Sequence, residues 1–341
     1  MTSIYNYSLK DLQNYFISLN EKPFRSTQII EALYIQKVKT FNEITNIKKE
    51  FREKLTNDFL IDNLNLITKS VSKDGTIKFL FELKDKNLIE TVLMKHPYGY
   101  SVCVTSEVGC NMGCKFCASG QLKKLRKLEA SELVLQILEV ERLENIKVTH
   151  VVIMGIGEPF DNYDNVLKFI EIINEPKGLK IGSRHISVST SGLIDKIKKF
   201  ASEDYQCNLA ISLHAPNDEI RNKIMPINIT YNISKLMEAI DYYINKTNRR
   251  VTIEYILIDD LNDKVEHAKQ LANLLKNKLV YVNLIPYNEV IGNEFKRSKE
   301  ENINKFYDTL KKNNVNVTLR YEQGHDINAA CGQLRSKHLN K

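Results

Sequence analysis

The sequence contains no tryptophan and no uninterrupted apolar run of about 18 residues, the length that a membrane-spanning helix needs. We therefore predict a chain without a transmembrane helix. The first seven residues lack the basic patch followed by an apolar stretch that marks a signal peptide, so we expect a cytoplasmic location. We interpret the missing tryptophan, beside abundant lysine, asparagine and isoleucine, as the mark of an AT-rich genome.

Cysteine is also scarce, with six among 341 residues. In a reducing compartment a disulfide framework is not expected for a chain of this length, so clustered cysteines indicate metal ligands or reactive thiols. The composition is 43% hydrophobic and 27% charged, which excludes wholesale disorder. A net charge of +7 permits an anionic partner such as RNA without requiring one.

The first 95 residues have the pattern of a small, mainly helical unit with a β hairpin. Its predicted strands, Leu64 to Val71 and Thr76 to Leu83, flank the turn dipeptide Asp74-Gly75, and a further strand covers Leu88 to Met94. The predicted helices begin at Ser8 and at Ser26, each with the serine as N-cap, and a third covers 45–59.

From about residue 100 strands and helices alternate, which predicts an α/β fold with a parallel sheet, rolled or open, and right-handed crossovers. The predicted strands are 100–106, 147–154, 184–190, 207–213, 250–257, 279–285 and 316–320. Helices between them include 130–143, 233–245, 265–275 and one around 299–312.

Polar and glycine-rich segments follow most of these strands, where parallel sheets carry their active sites. We therefore expect the segments to meet at one edge. They are Cys110-Asn-Met-Gly-Cys114-Lys-Phe-Cys117, Gly155-Ile-Gly157-Glu158-Pro159, Ser187-Val-Ser189-Thr-Ser191-Gly192, Ser212-Leu213-His214 and Asn283-Leu-Ile-Pro-Tyr-Asn288.

Three cysteines in the first of these segments, Cys110, Cys114 and Cys117, have the spacing to bind one metal cluster from a single loop. Thiolates are the usual ligands of iron–sulfur clusters, and three of them would leave one iron open to a small molecule. The alternative is a zinc-stabilised RNA-binding protein without catalysis, but a zinc site is nearly always closed by four ligands.

This cysteine spacing, with Phe116 before its last member, resembles the radical S-adenosylmethionine (SAM) superfamily. The resemblance implies a [4Fe-4S] cluster whose open iron binds SAM. Further segments resemble the RlmN/Cfr family of ribosomal RNA adenine methyltransferases. They are Met154-Gly-Ile-Gly-Glu-Pro, Ser189-Thr-Ser-Gly, Ser212-Leu-His-Ala-Pro-Asn-Asp-Glu-Ile-Arg, Met225-Pro-Ile-Asn, Asp74-Gly-Thr-Ile-Lys78 and Asp326-Ile-Asn-Ala-Ala-Cys331-Gly-Gln-Leu.

The family resemblance implies a partial (β/α)6-type barrel over 96–320. It also implies an accessory, RNA-binding domain over 1–95 and a tail, 321–341, that carries a catalytic cysteine. Positions that match the family's SAM contacts are Gly157, Glu158, Ser189, Ser212, Leu213, His214 and Asn288. Taken alone, such short motifs are more often strand-ending turns.

The family match also assigns three catalytic positions. Cys331 is expected to take a methyl group from one SAM, so that two SAM molecules are used per turnover, and then to bond to the adenine. Cys103 is expected to release the product through a disulfide with Cys331. Glu90 matches a proposed proton acceptor. Without the resemblance, these residues would be interpreted as a free tail thiol, a buried strand thiol and a solvated carboxylate.

The implied partners are 23S rRNA, tRNA and an electron donor such as flavodoxin or ferredoxin. Pro159 and Ser191 resemble the branch that methylates adenine C2, whereas the antibiotic-resistance branch, the alternative, methylates C8. The basic run 123–127 could contact RNA phosphate or be a solvated face. At position 328 this chain has asparagine where the family usually has aspartate.

Overall fold

The computed structural model describes residues 1–320 and 323–334 of the chain. Its strands are β1 (Thr2–Ser3), β2 (Phe59–Leu60), β3 (Asn65–Val71), β4 (Ile77–Glu82), β5 (Leu88–His96), β6 (Gly99–Cys103), β7 (Glu107–Val108), β8 (Arg126–Lys127), β9 (Val148–Ile153), β10 (Ile186–Thr190), β11 (Asn208–Ser212), β12 (Val251–Leu257), β13 (Val280–Pro286) and β14 (Val317–Leu319). Its α-helices are α1 (Leu9–Ser18), α2 (Arg25–Glu31), α3 (Lys49–Asp58), α4 (Ala130–Glu144), α5 (Tyr163–Asn174), α6 (Ile194–Phe200), α7 (Asp218–Ile224), α8 (Ile233–Thr247), α9 (Val265–Leu275) and α10 (Glu300–Lys312).

Within these residues one ten-stranded sheet has the order β14-β13-β12-β11-β10-β9-β6-β5-β4-β3. Strands β6 and β9 to β14 pair parallel with one another, and helical crossovers connect them. Strands β3 to β6 pair antiparallel and extend the sheet beyond β6. The predicted α/β fold with a parallel, partial barrel is confirmed.

The crossover helices cover the parallel strands with apolar stripes of helical period. In α5, for example, Val166, Phe169, Ile170 and Ile173 are buried, which is the i, i+3, i+4, i+7 spacing of one helix face. Because helices shield the parallel strands, those strands are mostly apolar, and β12 has five consecutive buried residues from Ile253 to Leu257.

The N-terminal helices match the sequence prediction in number but not in every cap. Ser8 caps α1 as predicted: its side chain accepts from the backbone N–H of Asp11, whose carboxylate accepts from the N–H of Ser8. The prediction for Ser26 was wrong. Ser26 lies inside α2, and its hydroxyl donates to the carbonyl of Pro23 at 2.5 Å, so it cannot cap the first turn.

The hairpin forms around Gly75, whose φ of 85° suits glycine in a tight turn. Its strands continue through β5 into the barrel sheet, because β5 pairs with both β4 and β6. The predicted domain boundary at residues 95 and 96 falls at the end of β5, and the sheet continues across it without a break. The division into domains therefore stays a prediction. None of the helices in the described part of the chain is long and apolar enough to cross a membrane.

Candidate functional site

The carboxyl ends of the parallel strands surround a cavity of about 160 Å³, which we call the first cavity. It contains most of the residues that the sequence assigned to cluster and SAM. The predicted residues in its wall are Cys110, Cys114, Cys117, Gly157, Glu158, Ser189, Ser212, His214 and Cys331. The expected convergence of the strand-end segments is therefore confirmed in the geometry.

The three-cysteine loop follows β7, and all three of its cysteines line the first cavity, close enough for Cys114 to interact electrostatically with the other two. Burial raises the pKa of Cys110 to about 12 and also raises the pKa values of Cys114 and Cys117. Such thiols become ligands only when a metal displaces their protons. Across residues 1–320 and 323–334, no three His, Cys, Asp or Glu side chains are placed to hold a single metal ion.

The loop after β9 is held by buried carboxylates. Gly157 has a φ of 105°, and a Cβ there would lie 2.6 Å from Cβ of Glu107, so a larger residue cannot be accommodated. Glu158 is buried, and its carboxylate accepts from the N–H groups of Phe160 at 3.0 Å and Ser191 at 2.7 Å. Glu158 thus joins the ends of β9 and β10, and burial raises its pKa.

His214 contributes a neutral imidazole to the first cavity. Its Nδ1 accepts from the N–H of Ile256 at 3.1 Å, and its ring contacts Phe116 edge-on with centroids 4.9 Å apart. Burial lowers the pKa of His214 to about 3. The neighbouring Leu213 is wholly buried in the hydrophobic core and absent from the cavity wall, so only its main chain supports the site.

Arg221 is a site residue that sequence reasoning missed, although its segment was singled out. Its guanidinium is fully buried and bridges the ends of β10 and β11. Burial lowers its pKa to about 10, so it remains a cation at neutral pH. It donates to the main-chain oxygens of Ser191, Ser212, Leu213 and Tyr231 and to Oδ1 of Asn228.

A second cavity of about 70 Å³ adjoins the first, and its wall contains Cys103, Cys331 and Asn288. Both cysteines are free thiols, and burial raises the pKa of Cys103 to about 12. Asn288 donates to the main-chain oxygen of Cys331 at 3.3 Å. Because Cys331 also lines the first cavity, one thiol faces both.

Arg320, at the end of β14, is a second residue that the sequence did not indicate. It lines both cavities. Its interactions with the Cys331 thiol, and then with Glu254 and Cys103, raise the pKa of its guanidinium. A permanent cation therefore lies beside Cys331 and Cys103, the two thiols that the family resemblance predicts to be reactive.

Glu90 lies near the second cavity without lining it. On β5 it precedes Val92 and Met94, which point to the same side of the strand and form part of the cavity wall. Its side chain is 5% exposed, and Nζ of Lys78 lies 3.2 Å from its Oε1.

The basic run 123–127 is engaged within the protein. Lys124, Arg126 and Lys127 all form ion pairs that join the cluster loop to neighbouring segments, whereas Lys123 is exposed. Their partners are Glu107 and Asp161 for Lys124, Asp85 and Glu132 for Arg126, and Asp161 for Lys127. A contact of this run with RNA phosphate stays a prediction.

An open parallel barrel with a three-cysteine loop at its carboxyl edge defines a radical SAM enzyme. The model of the radical SAM superfamily matches residues 105–275. A second model, the N-terminal domain of ribosomal RNA large subunit methyltransferases, matches residues 2–61.

Known proteins similar to the chain identify a family within the radical SAM enzymes. Two relatives, each named probable dual-specificity RNA methyltransferase RlmN, come from Acholeplasma laidlawii and Enterococcus faecalis, and each is 56% identical. The alignments cover 98% and 99% of this chain and 99% and 97% of the relatives. A crystal structure of a radical SAM methyltransferase from Sphaerobacter thermophilus is 40% identical with a TM-score of 0.93, covering 98% of this chain and 99% of that one. The chain belongs to the RlmN family of radical SAM RNA methyltransferases.

Membership implies a [4Fe-4S] cluster and SAM, and the residues present fit both groups. Cys110, Cys114 and Cys117 all line the first cavity. Oγ of Ser191, in the first cavity, and Oδ1 of Asn288, in the second, are buried without a hydrogen-bond partner within the described residues. Unpaired buried polar atoms are costly in a finished site, so their presence suits a site that a polar ligand completes.

Proposed function

We propose that the protein methylates C2 of an adenosine in the peptidyl-transferase centre of 23S rRNA and C2 of an anticodon-loop adenosine in tRNA. One observation carries the proposal: Cys331 lies on the wall between the cavity of the cluster cysteines and the cavity of Cys103. A thiol that takes a methyl group from SAM and later forms a disulfide must lie near both the SAM site and Cys103. The relatives named dual-specificity RNA methyltransferases support two RNA substrates.

In this proposal Cys110, Cys114 and Cys117 hold the cluster, and Gly157, Glu158, Ser189, Ser212, His214 and Asn288, with the main chain of Leu213, form the SAM site. When bound, the cluster supplies the electron that cleaves SAM to methionine and a 5′-deoxyadenosyl radical. That electron comes from a flavodoxin or ferredoxin, and we place the reaction in the cytoplasm.

Cys331 performs the first transfer. Its sulfur attacks the methyl carbon of one SAM, the new C–S bond forms as S-adenosylhomocysteine leaves, and the thiol proton passes to solvent. A thiolate is the nucleophile in such a displacement, and the guanidinium of Arg320 lies beside Cys331. Two SAM molecules are therefore used per turnover, one for this step and one for the radical.

The radical takes a hydrogen atom from the S-methyl group of Cys331 and becomes 5′-deoxyadenosine, and the resulting methylene radical adds to the adenine carbon, which ties protein to RNA. Glu90 takes the proton from that carbon as the adduct gives up one electron, which the bound cluster would accept. The thiolate of Cys103 then attacks the sulfur of Cys331: the S–CH2 bond breaks as the disulfide forms, and the released methylene carbon takes up a proton to become the methyl group of the RNA. Both thiols already share the second cavity, which supports this release step.

Methylation at C2 rather than C8 is supported by the two residues that distinguish the branches. Pro159 and Ser191 both line the first cavity, where they can affect how SAM and adenine lie together. Methylation at C8 is the second candidate.

Nucleoside mass spectrometry of 23S rRNA and tRNA tests the proposal, in a host that lacks its own enzyme, with and without this gene. We expect 2-methyladenosine in both pools. With Cys331→Ala the cluster should remain but no mark should appear, and methylation by this variant would refute the tail-thiol mechanism. 8-Methyladenosine would assign the protein to the resistance branch, and the absence of any new mark would refute the proposed activity.

A further inference from the structure

Lys78 lies between the proposed base and the tail that carries Cys331. Its Nζ is 3.2 Å from Oε1 of Glu90 and donates a hydrogen bond of 3.1 Å to the main-chain oxygen of Asn328. The side chains of Lys78 and Glu90 are only 14% and 5% exposed, so water screens their interaction weakly. A single ammonium group therefore contacts β5 and the tail, three residues before Cys331.

The turn between β3 and β4 holds the preceding part of the tail. Oδ1 of Asp326 accepts from the hydroxyl of Ser72 at 2.5 Å, and Oδ2 accepts from the N–H of Lys73 at 3.2 Å. Oδ2 of Asp74 accepts from the N–H of Gly324 at 2.8 Å. The hairpin thus fixes both ends of the segment 324–328, with Lys78 at the end nearer the reactive thiol.

We propose that Lys78 is a positioning residue that holds the carboxylate of Glu90 and the tail in one arrangement, so that the base and Cys331 act on the same adenine. This inference rests on the proposed function, which gives Glu90 and Cys331 their roles. Lys78 binds a main-chain oxygen, so asparagine in place of the usual aspartate at position 328 preserves the contact. Asn328 has a φ of 52°, a conformation that asparagine tolerates well.

The contact with Lys78 also orients the proposed base. The ammonium group lies 3.2 Å from Oε1 of Glu90, so the carboxylate keeps one position relative to the tail. Without Lys78, the carboxylate loses this contact and the position from which it would take the proton. Loss of Lys78 should therefore impair the step that follows addition to RNA more than the methylation of Cys331.

The methylation of Cys331 should survive because other contacts hold this end of the tail. The main-chain oxygen of Gly332 accepts from Ala118 at 2.8 Å, and that of Leu334 accepts from the hydroxyl of Ser119 at 2.7 Å. These contacts, like that of Asn288, do not involve the hairpin.

The test compares Lys78→Met and Lys78→Arg with the wild type, using the full chain reconstituted with iron and sulfide. Lys69→Met is the matched control: Lys69 lies on the neighbouring strand of the same hairpin and pairs with a carboxylate, Glu144, at 2.6 Å, away from the tail. Each protein receives SAM, a reductant and a 23S rRNA fragment that contains the peptidyl-transferase centre. Mass spectrometry measures S-methylation of Cys331 and methyladenosine, and a gel measures covalent protein–RNA species.

For Lys78→Met we expect S-methylation of Cys331 within about threefold of wild type, and methyladenosine lower by at least about tenfold, since hydrogen bonds to charged groups have effects of this size. Covalent protein–RNA species should accumulate. Lys78→Arg should recover most of the methyladenosine, and Lys69→Met should match the wild type. Full methyladenosine with Lys78→Met, or an equal fall of both methylations without covalent species, would overturn the assignment.

Hydrogen exchange of the tail gives a readout that does not depend on chemistry. The amides of Asn328 and Ala329 donate to the main-chain oxygens of His325 and Gly324. Their exchange should accelerate by at least about tenfold in Lys78→Met, because that protein lacks the anchor at position 328. Unchanged exchange would overturn the contribution of Lys78 to tail position. A wild type that forms no S-methylcysteine would instead refute the proposed function.

Discussion

Replacing Arg221 tests how the first cavity is held together. This fully buried guanidinium makes five hydrogen bonds, four of them to main-chain oxygens, and three of these acceptors, on Ser191, Ser212 and Leu213, lie at or directly after the ends of β10 and β11. Arg221→Met keeps an apolar stem of similar reach but removes every donor. The acceptors on Ser191 and Ser212 then lose their partner inside the protein.

The expected loss of stability follows from those five bonds. One buried acceptor left unpaired costs about 1–3 kcal/mol, and five would give an upper limit of about 15 kcal/mol. Part of this cost is offset, because the variant no longer buries a positive charge. Burial of that charge is unfavourable, as the lowered pKa of Arg221, about 10, indicates. Single substitutions that disrupt a buried hydrogen-bond network rarely cost more than about 4–5 kcal/mol, so we expect the free energy of unfolding to fall by about 3–5 kcal/mol.

Urea denaturation of the anaerobically reconstituted protein measures this decrease. Arg184→Met is the matched control, because Arg184 is exposed and its Nε donates to Oε1 of Gln206 at 3.1 Å, so its loss should cost at most about 1 kcal/mol. We also expect SAM to bind Arg221→Met at least about tenfold more weakly, since the strand ends that line its site lose their bridge. If both variants unfold at the same urea concentration, the buried network does not stabilise the site as argued.

Three further predictions concern single residues of the site. His214→Asn should make stability depend less on pH. The pKa of His214 in the folded protein, about 3, lies below the ordinary 6.5, so the wild type loses stability as the pH falls from 6.5 towards 3. Urea denaturation at several pH values measures this, and the same pH dependence in the variant and the wild type would contradict it. Cys114→Ala should retain no brown colour and no cluster iron after reconstitution, and full iron content would exclude its role as a ligand. Cys103→Ala should accumulate a nuclease-sensitive covalent protein–RNA band, whereas release of methylated RNA at the wild-type rate would contradict the disulfide step.

Much of the barrel follows from sequence period alone, because each strand and helix buries a face whose spacing is local. Helix α9 has the predicted bounds, Val265–Leu275, and β11, Asn208–Ser212, lies within the predicted 207–213. The meeting of the strand-end segments was predictable for a topological reason, since parallel strands place their carboxyl ends at one edge. The local pattern also predicted the hairpin, though not that β5 joins it to the barrel.

Burial of charge was not predictable, because it depends on contacts between distant segments. A pattern such as Asp218-Glu-Ile-Arg221 at the start of a helix is typical of an exposed face, yet Arg221 is wholly buried. Lys124 stands in a basic run that suggests a solvated surface, yet it pairs with Glu107 and Asp161. The sequence also could not show whether a residue faces the cavity with its side chain or only supports it with its main chain. The side chain of Leu213 lies in the hydrophobic core, and its main-chain oxygen accepts from Arg221.

The position of Cys331 depends on the least local contacts of the site, so only the family resemblance, and no local pattern of polar and apolar residues, indicated it. The tail is held by Asp74, 250 residues before Gly324, and by Ser119, 215 residues before Leu334. A single such contact stabilises a short polar segment little, because it must offset the conformational entropy that the segment loses when it becomes ordered. Together with Asn288, which donates to the main-chain oxygen of Cys331, three separate segments of the folded chain hold the tail in place. Cys331 therefore lines both cavities only because those segments are already in place.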